Sequence, residues 1–336
     1  MALMRAVDIK GGKGPASSLF LSPNVPRPVP AHGEALIRVK FFGLNRMDLT
    51  QRAGNYPIPP RVTSILGVEF SGTIEEVADD NDDSEYKIGD EVFGLAYGGA
   101  YAEYIAVSTR MIIRKPKTIP WEVAAGIPET WITALQVMYM VAKFAPGKSI
   151  LWHAGSSSVS LAGIQLSKAH GASAIYTTVG SREKADLCIS VGATTAWNYK
   201  DEDWAAELDR ATGGLGVDII VDFVGADYFQ RNLDSTALDG EIVIVGLLSG
   251  NVIPAEIDIS AFVRRRIKVE GTRLRSRELE YQGRLQDLLV REALPGLADG
   301  RFRVPIDKIF DWGDISKAHE MMEGNRNKGK IICKVA

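Results

Sequence analysis

Thiol ligands are nearly absent from this sequence: two cysteines, Cys188 and Cys333, are the whole complement of 336 residues. Two thiols cannot make a disulfide framework or a four-cysteine zinc lobe. Both lie in apolar surroundings, DLCIS and IICKV, that read as buried packing. Histidine is scarce as well. The four present, His32, His153, His170 and His319, fall in unlike contexts and do not group as a ligand set. Charge of one sign is also missing, since 39 basic against 42 acidic residues leave a net charge of -3. No general field therefore favours nucleic acid or an acidic membrane as partner. No apolar run reaches the length of about 18 residues that suggests a membrane span, and the start MALMRAVDIKGGKG lacks the long apolar region of a signal peptide. The expectation is a cytoplasmic protein, with no nucleic-acid or membrane partner.

Hydrophobic residues make up 46% of the chain, enough for one large core or two. The 33 glycines concentrate where strands meet helices. Strand patterns at 4–9, 34–42, 69–77, 91–95 and 102–107, separated by Gly/Pro turns, predict a largely β first domain. The acidic, polar stretch 78–86 predicts an exposed turn. Near Pro128 the pattern changes. Helix-like segments at 129–141, 159–170, 182–191 and 203–211 alternate with strand-like segments at 149–153, 174–179, 195–197, 218–223 and 241–246. This alternation predicts a parallel sheet covered by crossover helices. After about Val269 come helix 278–292, strand 304–310, helix 315–323 and a last strand, 330–335, that can return to the first domain. The expected division is 1–128 with 269–336 around an intervening 129–268.

The strand at 149–153 runs into Ala154-Gly155-Ser156-Ser157-Ser158-Val159-Ser160 and then an amphipathic helix. A turn of small residues there can bring backbone N–H groups and a helix N-terminus to a phosphate. A serine-capped turn with no ligand has the same composition. The next strand ends at Gly180-Ser181-Arg182-Glu183-Lys184. That strand end carries no acid to receive an NAD ribose, whereas Ser181 and Lys184 offer a hydroxyl and a cation to the 2′-phosphate of NADP. A charged helix start exposed to water is the plainer alternative.

In their common order, FFGLNRMDLTQRAGNYPIPP, ILGVEFSGTIEEV, IGDEVFGLAYGGAYAEY, AAGIPETWITALQ, LWHAGSSSVSLAGIQLSKAHGA and AHEMMEGNRNKGKII carry a resemblance over nearly the whole chain. The chain resembles the quinone oxidoreductase branch of the medium-chain dehydrogenase/reductase superfamily, most of all the p53-inducible quinone oxidoreductase-like enzymes. The resemblance implies an α/β fold with a Rossmann-like parallel-sheet cofactor domain inserted in a GroES-like, largely β catalytic domain. It also implies NADPH as cofactor and a homodimer assembled through the cofactor domains. Strands near 239–245 and 266–271 offer a sheet edge for that pairing. The implied cofactor residues are Gly155, Ser156, Ser157, Ser158 and Val159, then Gly180, Ser181, Lys184 and Tyr199, then Gly225 and Gly246. Asn45, Thr133, Leu274, Arg277 and Asn327 are implied on the nicotinamide side and closing segment. One departure stands out: Ser158 and Ser160 occupy positions where related quinone reductases usually have glycine.

Zinc-dependent members of the superfamily carry a cysteine near the GLNRMD segment, where this chain has Asn45. Glu69 alone does not make a metal site. The expected chemistry is therefore hydride transfer from nicotinamide C4 to a quinone without metal, completed by a proton. Tyr56 in AGNYP can donate a hydrogen bond to a quinone oxygen or simply pack. Asn45 can orient the nicotinamide ribose or the substrate; Phe42 and Trp131 can shape the substrate pocket, and Trp131 can instead fill the core. Two alternatives stay open: an NADPH-dependent enone or alkene reductase, and a divergent non-catalytic NADPH-binding protein.

Overall fold

Alternation of buried and exposed side chains organises the first strands. A computed structural model describes every residue except Met1, Arg61, residues 79–84, Pro254, Ala255 and Ala336. Most of the turn expected at 78–86 thus lies outside the described residues. β1 (Leu3–Ile9) pairs antiparallel with β2 (Leu19–Pro26). β3 (Glu34–Gly43) is the axis of a larger sheet, with exposed Arg38 and Lys40 alternating with buried Ile37 and Val39. It pairs antiparallel with β4 (Glu69–Val77) and with β6 (Tyr104–Ser108). β5 (Glu91–Leu95) joins β4, and β7 (Ile112–Arg114) joins β5. Gly72 permits the β3–β4 approach, because a Cβ there would lie 2.2 Å from the Arg38 carbonyl oxygen.

The next six strands all pair parallel: β8 (Ser149–Trp152), β9 (Ala174–Val179), β10 (Thr195–Asn198), β11 (Val217–Asp222), β12 (Thr236–Ile244) and β13 (Lys268–Gly271). Their order is β10-β9-β8-β11-β12-β13, the doubly wound Rossmann order. Leu151, Tyr176, Trp197, Trp204, Val217, Ile220 and Ile242 form part of one core cluster of this sheet. β14 (Ile306–Asp311) and β15 (Lys330–Lys334) follow, parallel to each other, and β15 pairs antiparallel with β3. The chain divides into two units: Met1–Ile132 with Arg275–Ala336, and Thr133–Leu274.

Several elements differ from the sequence expectation. The helical runs at 129–141 and 278–292 pass from α into π geometry at Gln136–Val141 and Leu289–Ala293. β2 has no sequence counterpart because Pro23 and Pro26 interrupt its strand pattern. It pairs with β1 alone, and proline is tolerated on such an edge. The helix Arg46–Arg52 also escapes the hydrophobic period, being set by a capping box between Asn45 and Asp48.

Candidate functional site

Strand order in the parallel sheet reverses between β8 and β11. Ligands of open α/β sheets bind beyond the carboxyl ends of the strands at such a point. Five turns carrying expected cofactor residues lie there: Gly155–Val159 after β8, Gly180 and Ser181 after β9, Tyr199 after β10, Gly225 after β11 and Gly246 after β12. Gly155 has no room for a side chain, since a Cβ would stand 1.7 Å from Thr177 Oγ1. Thr177 is itself fully buried and donates to the Trp152 carbonyl at 2.7 Å.

The serines of this turn tie helix to strand. Ser157 caps the helix Ser158–Ala169, its Oγ accepting from the Ser160 backbone N–H. The Ser157 hydroxyl donates to Ser160 Oγ at 3.0 Å, and the buried Ser160 hydroxyl donates to the His153 carbonyl at 2.9 Å. Ser160 is thus accommodated with its hydroxyl bonded, at a position where the resemblance leads one to expect glycine. The first-turn N–H groups of Ser158 and Val159 have no intrahelical partners and suit an anion. Gly163, on the same helix, admits the Trp152 indole, whose ring would lie 2.2 Å from an added Cβ.

At the next turn, an added Cβ on Gly180 would lie 2.7 Å from the Tyr199 hydroxyl, so the glycine lets that half-exposed tyrosine lie against the turn. Ser181 caps the helix Arg182–Val191, accepting from the Lys184 N–H. As an acceptor there, the hydroxyl keeps its proton for another oxygen. Arg182 turns to Asp186 at 3.2 Å.

Beneath these turns His153 is fully buried. Its Nε2 is 2.8 Å from Asn232 Oδ1, and Asn232 Nδ2 donates to Asp222 at 3.1 Å. The Asp222 carboxylate fixes the Asn232 amide, so Nε2 carries the imidazole proton and Nδ1 accepts from Thr178 Oγ1 at 2.9 Å. Burial holds the His153 pKa down at about 4 and raises Asp222 to about 6. Asp222 also accepts the backbone N–H groups of Val224 and Gly225, which fixes the turn after β11.

The β-rich unit carries a second polar cluster around Asn45. Asn45 Oδ1 accepts from Lys330 Nζ at 2.8 Å, and its Nδ2 donates to Glu69 Oε1 at 2.8 Å. Lys330 and Glu69 form an ion pair at 1% and 0% exposure. Lysine can only donate, so this pair fixes which end of the Asn45 amide faces which partner. Gly43 leaves the necessary space: a Cβ there would stand 2.4 Å from Glu69 Oε1 and 2.8 Å from Lys330 Cε. Glu69 Oε2 accepts the Glu129 backbone N–H at 2.9 Å.

Asp48 accepts from the Asn45 N–H, the Gly67 N–H and the Tyr101 hydroxyl, and burial still raises its pKa to about 6. Arg52 Nη1 is 3.0 Å from His319 Nδ1; an arginine only donates, so Nδ1 accepts and Nε2 carries the proton toward Tyr101. Burial, reinforced by the Arg52 charge, lowers His319 to about 3.

Glu129 is raised to about 8, first by burial and then by the Glu69 charge. It is protonated at neutral pH, and a raised pKa means that its favourable contribution is complete below the ordinary carboxyl range and is lost as pH climbs through 8. Glu129→Gln is therefore expected to gain on the wild type between pH 6 and pH 9. Melting temperatures of both proteins at the two pH values test this. An identical difference at both would show that Glu129 does not titrate in that window.

Of the other expected residues, Tyr56 is half-buried with the Arg275 guanidinium 5.5 Å from its ring centroid. Thr133 and Leu274 are buried. Arg277 lies over the Tyr281 ring at 4.5 Å, and Asn327 Nδ2 donates to the nearby Gly329 carbonyl. Phe42 and Trp131, expected at the substrate pocket, are both buried. Phe42 has no exposed surface and stacks on Tyr101 at 4.3 Å, while Trp131 is 1% exposed and packs on Phe302. Both are core residues. The sequence reading leaves Lys330, Asp48, Glu129 and Arg275 unassigned; the signal for Lys330 and Asp48 is a charge set within or beside an apolar run. Among the described residues no group of three or more His, Cys, Asp or Glu could hold a metal ion, and no helix is long and apolar enough to cross a membrane.

Comparison with known proteins agrees with this geometry. Residues 31–117 match the family described as alcohol dehydrogenase GroES-like domain, and residues 158–291 match the zinc-binding dehydrogenase family. The chain is 28% identical over 334 residues to a quinone oxidoreductase of Mus musculus, covering 98% of this chain and 97% of that protein. It is similar to the crystal structure of a Pseudomonas syringae quinone oxidoreductase, with a TM-score of 0.87, 27% identity and coverage of 99% and 100%. An Escherichia coli quinone oxidoreductase complexed with NADPH gives a TM-score of 0.86 at 26% identity, again covering 99% and 100%.

Proposed function

The chain belongs to the medium-chain dehydrogenase/reductase superfamily, in its zinc-independent quinone oxidoreductase branch, and from that premise we propose that it is an NADPH-dependent quinone oxidoreductase. The observation that carries this reading is the gathering of Gly155, Gly180, Ser181 and Tyr199 at the carboxyl ends of adjacent parallel strands. The residues present fit the cofactor: Gly155 lets the turn sit hard against Thr177, where a Cβ would clash, and Ser157 caps a twelve-residue helix whose N-terminus suits a phosphate. NADPH, when bound, supplies the hydride.

The chain's own residues bind and orient. We assign Gly155, Ser156, Ser157, Ser158 and Val159 to the pyrophosphate, and Ser181, Lys184 and Tyr199 to the phosphorylated adenosine end. Gly225 and Gly246 keep backbone close to the ligand path. Asn45, its amide orientation fixed by Lys330 and Glu69, positions ribose or acceptor, with Thr133, Leu274, Arg277 and Asn327 on the nicotinamide side. Tyr56 offers its hydroxyl to a quinone oxygen, an orienting role that adds to proximity.

A 2′-phosphate can be hydrogen-bonded by Ser181 and attracted by Lys184, and NADH lacks that group. Lys184→Ala and Ser181→Ala are each expected to raise the KM for NADPH more than that for NADH, with a smaller change in kcat. Kinetic titrations with saturating quinone check this. Equal losses with both cofactors would reject phosphate recognition at this turn, and strong enone turnover beside negligible quinone turnover would reject the substrate class.

We further propose a cytoplasmic homodimer. β13 is an edge strand, and the connection that leads to it exposes Leu247, Leu248, Val252, Ile259 and Val263, apolar surface that a second copy would cover. Sedimentation that gives a monomer at every concentration defeats this assembly.

A further inference from the structure

Hydride transfer to a quinone leaves an anionic oxygen that a proton must complete. The acids and the histidine clustered around Asn45 are not equivalent as sources of it. Glu69 has no exposed surface and is committed to Lys330, to Asn45 Nδ2 and to the Glu129 N–H. Asp48 has none either and accepts from three donors. His319 is fully buried between Arg52 and Tyr101. Glu129 differs from all of them. It is half-buried, its carboxyl makes no hydrogen bond to a described residue, and its oxygens are not among the sealed polar atoms. The carboxyl therefore reaches open space.

The fold couples this carboxyl to both residues proposed on the acceptor side. Glu129 lies in the first turn of the helix Pro128–Leu135, where its backbone N–H is fixed by Glu69 Oε2 at 2.9 Å. The other oxygen of that same carboxylate holds Asn45 Nδ2 at 2.8 Å. Arg275 makes the second link, with its guanidinium 5.5 Å from the Tyr56 ring centroid and its charge acting on Glu129. The charges that face Glu129 are Glu69 on β4, Asp48 on the helix Arg46–Arg52, Lys330 on β15, and Arg275. Burial and the Glu69 charge raise the Glu129 pKa to about 8, so the proton is present at neutral pH. Lys330 and Arg275 favour the carboxylate that remains once the proton has left. An acid poised near the working pH is what proton transfer in a transition state requires.

We propose that Glu129 is the catalytic acid of quinone reduction, an inference that rests on the oxidoreductase reading. The quinone takes up the hydride and becomes a hydroquinone anion. The Glu129 O–H bond breaks, its proton forms the new O–H bond on the anionic oxygen, and the bonding pair stays on the carboxylate. Water returns a proton to Glu129 before the next turnover.

Measurement of kcat/KM for a quinone, at saturating NADPH and from pH 6 to pH 9, tests this role in the full-length protein. Wild-type activity is expected to fall as pH climbs through about 8, because only protonated Glu129 has a proton to give. Glu129→Gln keeps the backbone N–H and the side-chain size but cannot donate an acidic proton. It should lose roughly a hundredfold at pH 6 and no longer fall with pH, while its Kd for NADPH and its melting temperature at pH 6 stay near wild type. Glu129→Asp should keep the falling limb at a reduced rate. Wild-type kcat/KM in Glu129→Gln would overturn the proposal, as would a slower Glu129→Gln that retains the wild-type pH limb. A wild type with no quinone turnover at any pH would remove the oxidoreductase reading and this role together, whereas normal wild-type turnover beside an unaltered Glu129→Gln rejects the role of Glu129 alone.

Discussion

Lys330→Met is expected to be the most destabilising single substitution in the β-rich unit. It strips the cation from Glu69, a carboxylate with no exposed surface, and leaves Asn45 Oδ1 without its donor. Breaking a buried pair from one side costs roughly 3–5 kcal/mol, because the remaining charge has neither water nor a counter-ion, only the neutral donors Asn45 Nδ2 and the Glu129 N–H. For a domain of this size that corresponds to a fall in Tm on the order of 10 °C. The companion variant is Lys330→Met with Glu69→Gln. A glutamine keeps an acceptor for the Glu129 N–H and, once the Asn45 amide turns over so that Oδ1 instead of Nδ2 faces residue 69, supplies it an N–H; with no charge left buried, the double variant should recover a large part of the loss. Thermal melts of the two single variants and the double variant decide the matter. Additive losses would mean that Lys330 stabilises by packing its stem against Gly126 and Gly43 and not by its charge.

The contrast between this cluster and the cofactor turns explains what a linear reading can reach. The turns are local: each follows a strand of predictable pattern, and the change of period near Pro128 announces the parallel sheet. Gly155 and Gly180 therefore stand in the sequence directly after the strands that place them in space. Lys330 does not. It opens the expected last strand, beside the apolar IIC, but nothing local names its partner: it meets an asparagine 285 positions earlier only because β15 pairs with β3. The burial of Phe42 is hard to read for a different reason. The β3–β4 register shifts between Val39 and Phe41, so strict alternation no longer tells which of Phe41 and Phe42 points inward. The structure leaves Phe41 partly exposed and buries Phe42. Ser160 is legible as a departure from glycine but not as a benefit, because its use depends on the His153 carbonyl lying 2.9 Å away at the end of the preceding strand.

Gly155→Ala is expected to abolish most NADPH affinity while leaving the parallel sheet folded. Unlike many turn glycines, Gly155 is not among the residues with positive φ, so the constraint is space and not backbone conformation. The new methyl would meet Thr177 Oγ1 at 1.7 Å, Thr177 Cβ at 2.9 Å and Cys188 Sγ at 3.1 Å. Thr177 cannot swing away cheaply, because it has no exposed surface and its hydroxyl holds the Trp152 carbonyl. The turn must move instead, carrying Ser156 and Ser157 with it and displacing the helix N-terminus proposed for the phosphate. Overpacking of this kind typically costs about 1–3 kcal/mol; if most of that falls on the bound turn, the Kd for NADPH rises by roughly one to two orders of magnitude. Adding Thr177→Ala removes the hydroxyl and the nearest contact, and should restore part of the affinity even though it sacrifices the bond to Trp152. Fluorescence titrations with NADPH on the wild type, the single variant and the double variant, alongside their melting temperatures, separate the possibilities. Wild-type affinity in Gly155→Ala would remove this turn from the cofactor site, and a failure of Thr177→Ala to rescue would place the strain on Cys188 or the backbone.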